Sequence, residues 1–417
     1  MDGQRIRELS VREAERFAAR TPASRAMFER AQRTLAGGVS SSFHGREPWP
    51  VYLARGDGAR VWDADGNEYV DFHNGFSAMV QGHAHPAIVA AVRERVARGT
   101  HFGATTEDAV AVAEELRRRF GLPRWRFTNS GTEANLAAIR LARASTGREA
   151  VVQMAGAYHG HAEITHLHEV PFNDVAALER LIAEVEPACV ITEGAMTSVG
   201  LVLPEPGYLD ALRDLTRRQG VVLILDEVKT GLTIAAGGAV ERLGAQPDVV
   251  TLAKSLGGGL PTGAVGMTAE LAEPVEDGRL RLLGTYNGNP LSMAAAAASL
   301  HEVLTPAAYS ELDRLGDRMV SACESVIQAN GLEARCVGLG SKGSVHWGSD
   351  PQRGSDPGLG ELIWIWLMNR GVLTTAGREQ EWNVTVAHDD EAVDRYVEAF
   401  AGLVAELTPR LSGSARA

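Results

Sequence analysis

The stretch Val221-Val222-Leu223-Ile224-Leu225-Asp226-Glu227-Val228-Lys229-Thr230-Gly231 carries the reading of the fold. Five consecutive apolar residues ending on an acid and a turn predict a strand covered on both faces, as in a parallel sheet. Upstream, Tyr208–Arg218 has the spacing of an amphipathic helix, and downstream Val249–Leu252 is a second apolar run. The alternation extends back through Arg124–Thr128, Ala150–Met154 and Ala188–Thr192, separated by helical stretches at Glu133–Ala144 and Val175–Ala183. Strand and helix in alternation predict an α/β domain with a mostly parallel sheet between helical layers. In such sheets ligands sit beyond the carboxyl ends of the strands, so the residues that follow each strand are the ones to inspect.

Around this core the pattern changes. Residues 1–35 read as helix with a break at Thr21-Pro22, and Gly37–Ser42 as a loop. A meander follows through Val51–Leu53, Arg60–Trp62 and Tyr69–Phe72, turning at Asp57-Gly58 and Asp65-Gly66-Asn67. From about residue 300 the chain reads as α+β and ends on an amphipathic helix, Asp389–Leu407. The expected organisation is therefore an N-terminal segment, 1–70, contributing to a small domain, a large ligand-binding domain, 71–300, and a C-terminal small domain, 301–417.

The 417 residues carry 41 Lys+Arg against 53 Asp+Glu, a net charge of −12, which disfavours a surface built to neutralise nucleic-acid phosphates. Three cysteines, none in a CxxC pair, do not make a disulfide framework and suit a reducing compartment. The N-terminus is polar and carries acids, unlike a secretory or transit segment. No apolar run approaches the length of a membrane span. The expectation is a cytoplasmic protein without nucleic-acid or membrane partners.

Three strand ends carry chemistry. Asn129-Ser130-Gly131-Thr132-Glu133-Ala134 opens a helix with free backbone amides and two hydroxyls, which suits a phosphate, though it fits an ordinary capped helix equally. Asp226 at the end of an apolar strand needs a cation or hydrogen-bond donors, yet an N-cap explains it as well. Lys254, followed by Gly257-Gly258-Gly259, is either a solvated lysine before a flexible loop or a lysine bedded in a pocket that lowers its pKa for covalent chemistry. All three fall at one edge of one sheet. As a set they suit pyridoxal phosphate, with its phosphate in the helix N-terminus, its aldehyde on the lysine and its ring nitrogen on the acid. Other patterns are set aside. Gly338–Gly343 fits GxGxxG but leads into a strand-like run. His83-Ala84-His85 and His159-Gly160-His161 have no further ligand cluster, and Trp364-Ile365-Trp366 has core spacing.

Together, Asn129–Ala134, Gly156-Ala157-Tyr158-His159-Gly160, Asp226-Glu227-Val228, Lys254 with Gly257–Gly263, and Gly284-Thr285-Tyr286-Asn287-Gly288-Asn289-Pro290 resemble the class III pyridoxal-phosphate aminotransferases. Within them the resemblance is greatest to the glutamate-1-semialdehyde aminomutase and β-amino-acid aminotransferase branch, over roughly residues 22–405. It implies a fold-type I transferase, with a seven-stranded mostly parallel sheet and a smaller α+β domain, assembled as a homodimer with shared active sites. It further implies that Lys254 forms the Schiff base and Asp226 pairs with the ring nitrogen. Ser130, Gly131 and Thr132 would bind phosphate, Tyr158 and Val228 would flank the ring, and Thr285 would reach the neighbouring subunit's phosphate. His159 and Glu193 fall in matching stretches.

For the substrate, the resemblance puts a carboxylate-binding arginine at Arg378. Near the N-terminus the sequence departs from the aminomutase pattern: the expected arginine position holds His44, with Arg46 two residues on, and Phe76 would line the same pocket. The first expectation is an aminotransferase that moves an amino group from an amino acid or amine to a keto acid or aldehyde by way of pyridoxamine phosphate, non-α amines favoured. The alternative is an intramolecular aminomutase of the glutamate-1-semialdehyde type. A non-catalytic binding protein of this fold has no need of Lys254.

Overall fold

Val222–Asp226 is the central strand of a seven-stranded sheet in the computed structural model of the chain, which describes residues 3–348, 357–377 and 380–408. The strand order is Arg124–Thr128, Gly263–Met267, Val249–Leu252, Val222–Asp226, Cys189–Thr192, Val151–Met154 and Leu167–Val170. Gly263–Met267 runs antiparallel to both neighbours, and every other pairing is parallel. The strand pleat sends alternate side chains to opposite faces. Cys189, Ile191, Val222 and Ile224 pack with Ile139 and Leu141 of the helix Gly131–Thr146. Val190 and Leu223 pack with Leu178, Ile182, Leu212 and Leu215 of the helices Val175–Val185 and Tyr208–Gln219. Each fully buried Leu or Ile there contributes roughly 1.5–3 kcal/mol relative to exposure.

The five strands expected from the sequence are present, and Leu167–Val170 and Gly263–Met267 complete the sheet. Cross-strand register sets Leu225 beside Thr192 and Asp226 beside Thr251, so Glu193, Asp226 and the turn Lys254–Gly257 emerge at one edge.

The meander Leu53–Asp57, Arg60–Asp63 and Glu68–Asp71 is joined by Val372–Leu373, parallel to Glu68–Asp71. A third sheet holds Ala334–Leu339, Lys342–Trp347 and Glu381–Asn383. The GxGxxG pattern at Gly338–Gly343 is the turn of this antiparallel hairpin, as the strand-like run after it requires. Trp364 and Trp366 are core residues of the helix Pro357–Met368. The alanine-rich helix Pro290–Ala298 packs on Pro86–Arg98. Among the described residues no helix is long and apolar enough to cross a membrane, and no group of His, Cys, Asp or Glu is arranged to hold a metal ion.

Candidate active site

Asp226 lies at the sheet edge with its carboxylate buried and fully engaged. His159 Nδ1 donates to Oδ2 at 2.7 Å and Asn135 Nδ2 donates to the same oxygen at 2.7 Å, while the Val228 amide donates to Oδ1 at 2.9 Å. Burial alone would raise the Asp226 pKa, but the His159 hydrogen bond and the other donors hold it below the ordinary value. Asn135 is fixed in turn, donating to the His159 carbonyl at 3.0 Å and accepting from Thr251 Oγ1 at 2.6 Å. Asn135 was not singled out from sequence, although a polar residue on the buried face of an alanine-rich helix is a signal.

The helix Gly131–Thr146 starts beside this carboxylate. Ser130 does cap it, since its Oγ accepts from the Glu133 amide at 3.2 Å and its carbonyl accepts from the Ala134 amide at 3.0 Å. Capping uses the Glu133 and Ala134 amides, whereas those of Gly131 and Thr132, in the first turn, have no partner within the helix. A Cβ on Gly131 would lie 2.9 Å from Val228 Cγ1 and 3.5 Å from Ala253 Cβ. Only glycine lets the helix start, the Asp226 loop and the residue before Lys254 come this close. A Cβ on Gly160, at φ +105°, would lie 2.5 Å from Thr132 Oγ1, and that hydroxyl also sits 3.3 Å from His161 Nδ1. These contacts bring the Tyr158–His161 loop onto the same helix end.

Lys254 is half-buried, with φ +41°. A lysine in the left-handed region is uncommon and marks a position held by its surroundings. Ser255 beside it is anchored on both sides: its Oγ donates to the Gly231 carbonyl at 2.8 Å, and its own carbonyl accepts from Gln81 Nε2 at 2.6 Å. Glu193 is buried, accepts from the Thr197 amide at 3.2 Å and pairs with the Thr197 hydroxyl; burial pushes its carboxyl up to about 7.

The mouth of the site is aromatic. Tyr158, 44% exposed, meets Phe43 edge to face at 5.7 Å, Phe43 meets Phe76 at 5.3 Å, and Phe76 meets His73 at 4.3 Å between ring centroids. Phe76 belongs to a left-handed turn, with φ +51° at Asn74, +58° at Gly75, +59° at Phe76 and +71° at Ser77. Each non-glycine residue there costs roughly 1–2 kcal/mol. Phe43 and His73 were not among the residues expected at the site.

His44 is exposed and sits 3.1 Å from Ser40 Oγ through Nδ1. Arg46 is half-buried, with its guanidinium 6.0 Å from the Trp364 ring centre. Thr285 is exposed on the rim of a groove of about 700 Å3, in a loop tied to the helix start by Asn129 Nδ2 donating to Asn287 Oδ1 at 3.0 Å. Arg378 lies outside the described residues.

A buried acid, a helix N-terminus and a lysine held at positive φ thus meet at one edge of this sheet, the set that the sequence suggested for pyridoxal phosphate. The sequence matches the family described as aminotransferase class-III over residues 41–168 and 165–377. Glutamate-1-semialdehyde 2,1-aminomutase from Methanothermobacter thermautotrophicus is 35% identical, over 90% of this chain and 97% of its own length. Seven further curated relatives carry the aminomutase name at 32–37% identity. Among solved structures, a glutamate-1-semialdehyde aminomutase from Pseudomonas aeruginosa PAO1 superposes with a TM-score of 0.93 at 30% identity, covering 98% of this chain and 99% of that one. A variant of it was solved in complex with PMP. A β-phenylalanine aminotransferase from Variovorax paradoxus superposes with a TM-score of 0.90 at 31% identity, covering 96% and 97%. The chain belongs to the class III aminotransferases and is a pyridoxal-phosphate-dependent enzyme. The comparisons support the aminomutase alternative better than the transfer reaction placed first from the sequence.

Proposed function

We propose that this protein moves an amino group within one substrate, in the manner of glutamate-1-semialdehyde 2,1-aminomutase. The observation that carries this reading is the agreement of the curated relatives, each matched over about nine-tenths of this chain. In this reading Ser130, Gly131 and Thr132 hold the cofactor phosphate, Asp226 holds the ring nitrogen, Tyr158 and Val228 cover the ring faces, and Lys254 holds the aldehyde carbon. When bound, pyridoxal phosphate accepts the electron pair left by a proton removed from the carbon next to the substrate nitrogen. Asp226, ionised, keeps a proton on the ring nitrogen, and His159 and Asn135 fix its orientation. With its amine free, Lys254 would take that proton on Nζ and return it to a neighbouring carbon. Glu193 braces the Thr197 loop beside Asp226. Phe76, His44, Arg46 and Arg378 serve the substrate, and Tyr158 and Phe43 keep water from its path.

A homodimer with shared sites is part of the proposal. The exposure of Thr285 beside Leu283 (74%) and Tyr286 (59%) supports it, because an apolar rim next to the phosphate site suits cover by a second copy. So is the division into 1–70, 71–300 and 301–417, which the pairing of Glu68–Asp71 with Val372–Leu373 supports.

A second reading, transfer of the amine to a separate keto acid or aldehyde, is favoured by the wall of Phe43, Phe76 and Tyr158, which suits an aryl-bearing amine. The test is to supply glutamate-1-semialdehyde as sole substrate. Internal migration predicts steady formation of the isomeric 5-amino-4-oxopentanoate with no acceptor. A reaction that stops after one equivalent until a keto acid is added contradicts it and supports transfer.

A further inference from the structure

The aromatic wall depends on a turn that its own sequence does not favour. Asn74–Ser77 winds left-handed, and only Gly75 of its four residues adopts that conformation freely. Contacts from distant parts of the chain must hold it. At its start Asp71 Oδ1 accepts from the amides of His73 and Asn74, each at 2.9 Å. At its end Lys342 Nζ donates to Ser77 Oγ at 2.5 Å and to Asn383 Oδ1 at 2.5 Å. Ser77 Oγ itself donates to Asn383 Oδ1 at 2.9 Å, and Asn74 Nδ2 donates to the Asn383 carbonyl at 2.6 Å.

Lys342 is fully buried, at 0% exposure, at the start of the strand Lys342–Trp347. Its ammonium lies 3.8 Å from Glu381 Oε2, which also pairs with Lys229 Nζ at 2.9 Å, three residues beyond Asp226. An apolar side chain of similar size would fill this volume without the cost of burying a charge. What the ammonium adds is a set of donors aimed at the turn.

We propose that Lys342 is a positioning residue for the substrate: held by Asn383 and Glu381, it clamps Ser77 and so fixes the left-handed turn that presents Phe76 to the pocket. The inference rests on the proposed site in taking Phe76 as a pocket wall. The bond from Gln81 to Ser255, further along the same segment, does not involve Lys342, so the backbone beside Lys254 keeps that anchor when the clamp is lost.

The test uses the Lys342→Met holoenzyme. Hydrogen exchange is read at the amides of Ala78 and Met79, which bond to the Asn74 carbonyl. Substrate affinity is read by titrating the cofactor band with glutamate-1-semialdehyde or β-phenylalanine, whichever converts the wild type. The expected result is at least tenfold faster exchange and tenfold weaker affinity, with an unchanged cofactor absorbance. Unchanged exchange, or loss of the cofactor band itself, overturns the proposal. Ser77→Ala and Ser77→Gly carry the same test should the first variant not fold. Both lose the hydroxyl, but glycine accepts φ +71°, so alanine speeds exchange and weakens affinity more than glycine does. Equal effects overturn the proposal. A wild-type protein with no cofactor band refutes the proposed function instead, and the exchange contrast stays measurable without it.

Discussion

His159 Nδ1 lies 2.7 Å from Asp226 Oδ2, and both side chains are buried. A carboxylate is an acceptor, so the proton sits on Nδ1 and the imidazole orients the acid toward the pocket. Asp226→Asn keeps the shape but loses the charge. The expected outcome is a fall of several orders of magnitude in turnover with cofactor still bound, measured by steady-state rate and by absorbance of the dialysed protein. A near-normal rate would remove Asp226 from its proposed role.

Lys254→Ala takes away the amine proposed to hold the cofactor aldehyde and to move the substrate proton. Turnover and the imine absorbance are both expected to vanish, while phosphate-anchored cofactor still binds more weakly. Sustained turnover in this variant would contradict the assignment.

Gly131 is the point where the helix start touches the Asp226 loop. Gly131→Val places branched carbons where even a Cβ would already be 2.9 Å from Val228. Cofactor affinity is expected to fall at least tenfold, with the circular dichroism of the apoprotein little changed. Equilibrium dialysis against pyridoxal phosphate measures it, and wild-type affinity would show that the cradle is elsewhere.

Burial lowers the His388 imidazole to about 4, against the pull of Asp71 and Asp389 and with His83 and Arg60 also facing it. The unfolded chain takes up this proton below its ordinary 6.5, and the folded chain does not until about 4. Stability from this group is therefore complete above pH 6.5 and falls by about 3 kcal/mol as the pH drops to 4. In urea unfolding, the wild type is expected to lose more stability between pH 7 and 4.5 than His388→Asn. Glu193 and Glu227, both pushed up to about 7 by burial, act in the opposite sense but are present in both proteins and cancel. Parallel pH profiles would rule the imidazole out.

Most of the strands that the sequence revealed are short, buried and largely apolar runs, and Arg124–Thr128 alternates exposed arginines with half-buried Trp125 and Phe127. Gly263–Met267 was hidden because Gly263 and Gly266 are there for closeness: a Cβ would lie 2.4 Å from Thr128 Oγ1 and 2.6 Å from the Trp125 ring. Leu167–Val170 is an edge strand with a half-exposed pattern, and its His and Glu mask the period. Ser130, Asp226 and Lys254 were legible because each ends or closely follows a strand, and the rule about strand ends brings them together without knowledge of packing. Asn135, Phe43, His73 and Lys342 act through contacts made across the fold. The pairing of Ser77 with Lys342 spans 265 residues, and no local pattern encodes it.

The central claim, that the amine stays within one substrate, is tested most directly by isotope. Glutamate-1-semialdehyde carrying a labelled amino nitrogen is turned over in the presence of an unlabelled keto acid, and both pools are read by mass spectrometry. The account predicts accumulation of the labelled isomer and a keto acid that acquires no nitrogen. An aminated, labelled keto acid appearing in step with loss of the donor would contradict it and establish transfer between substrates.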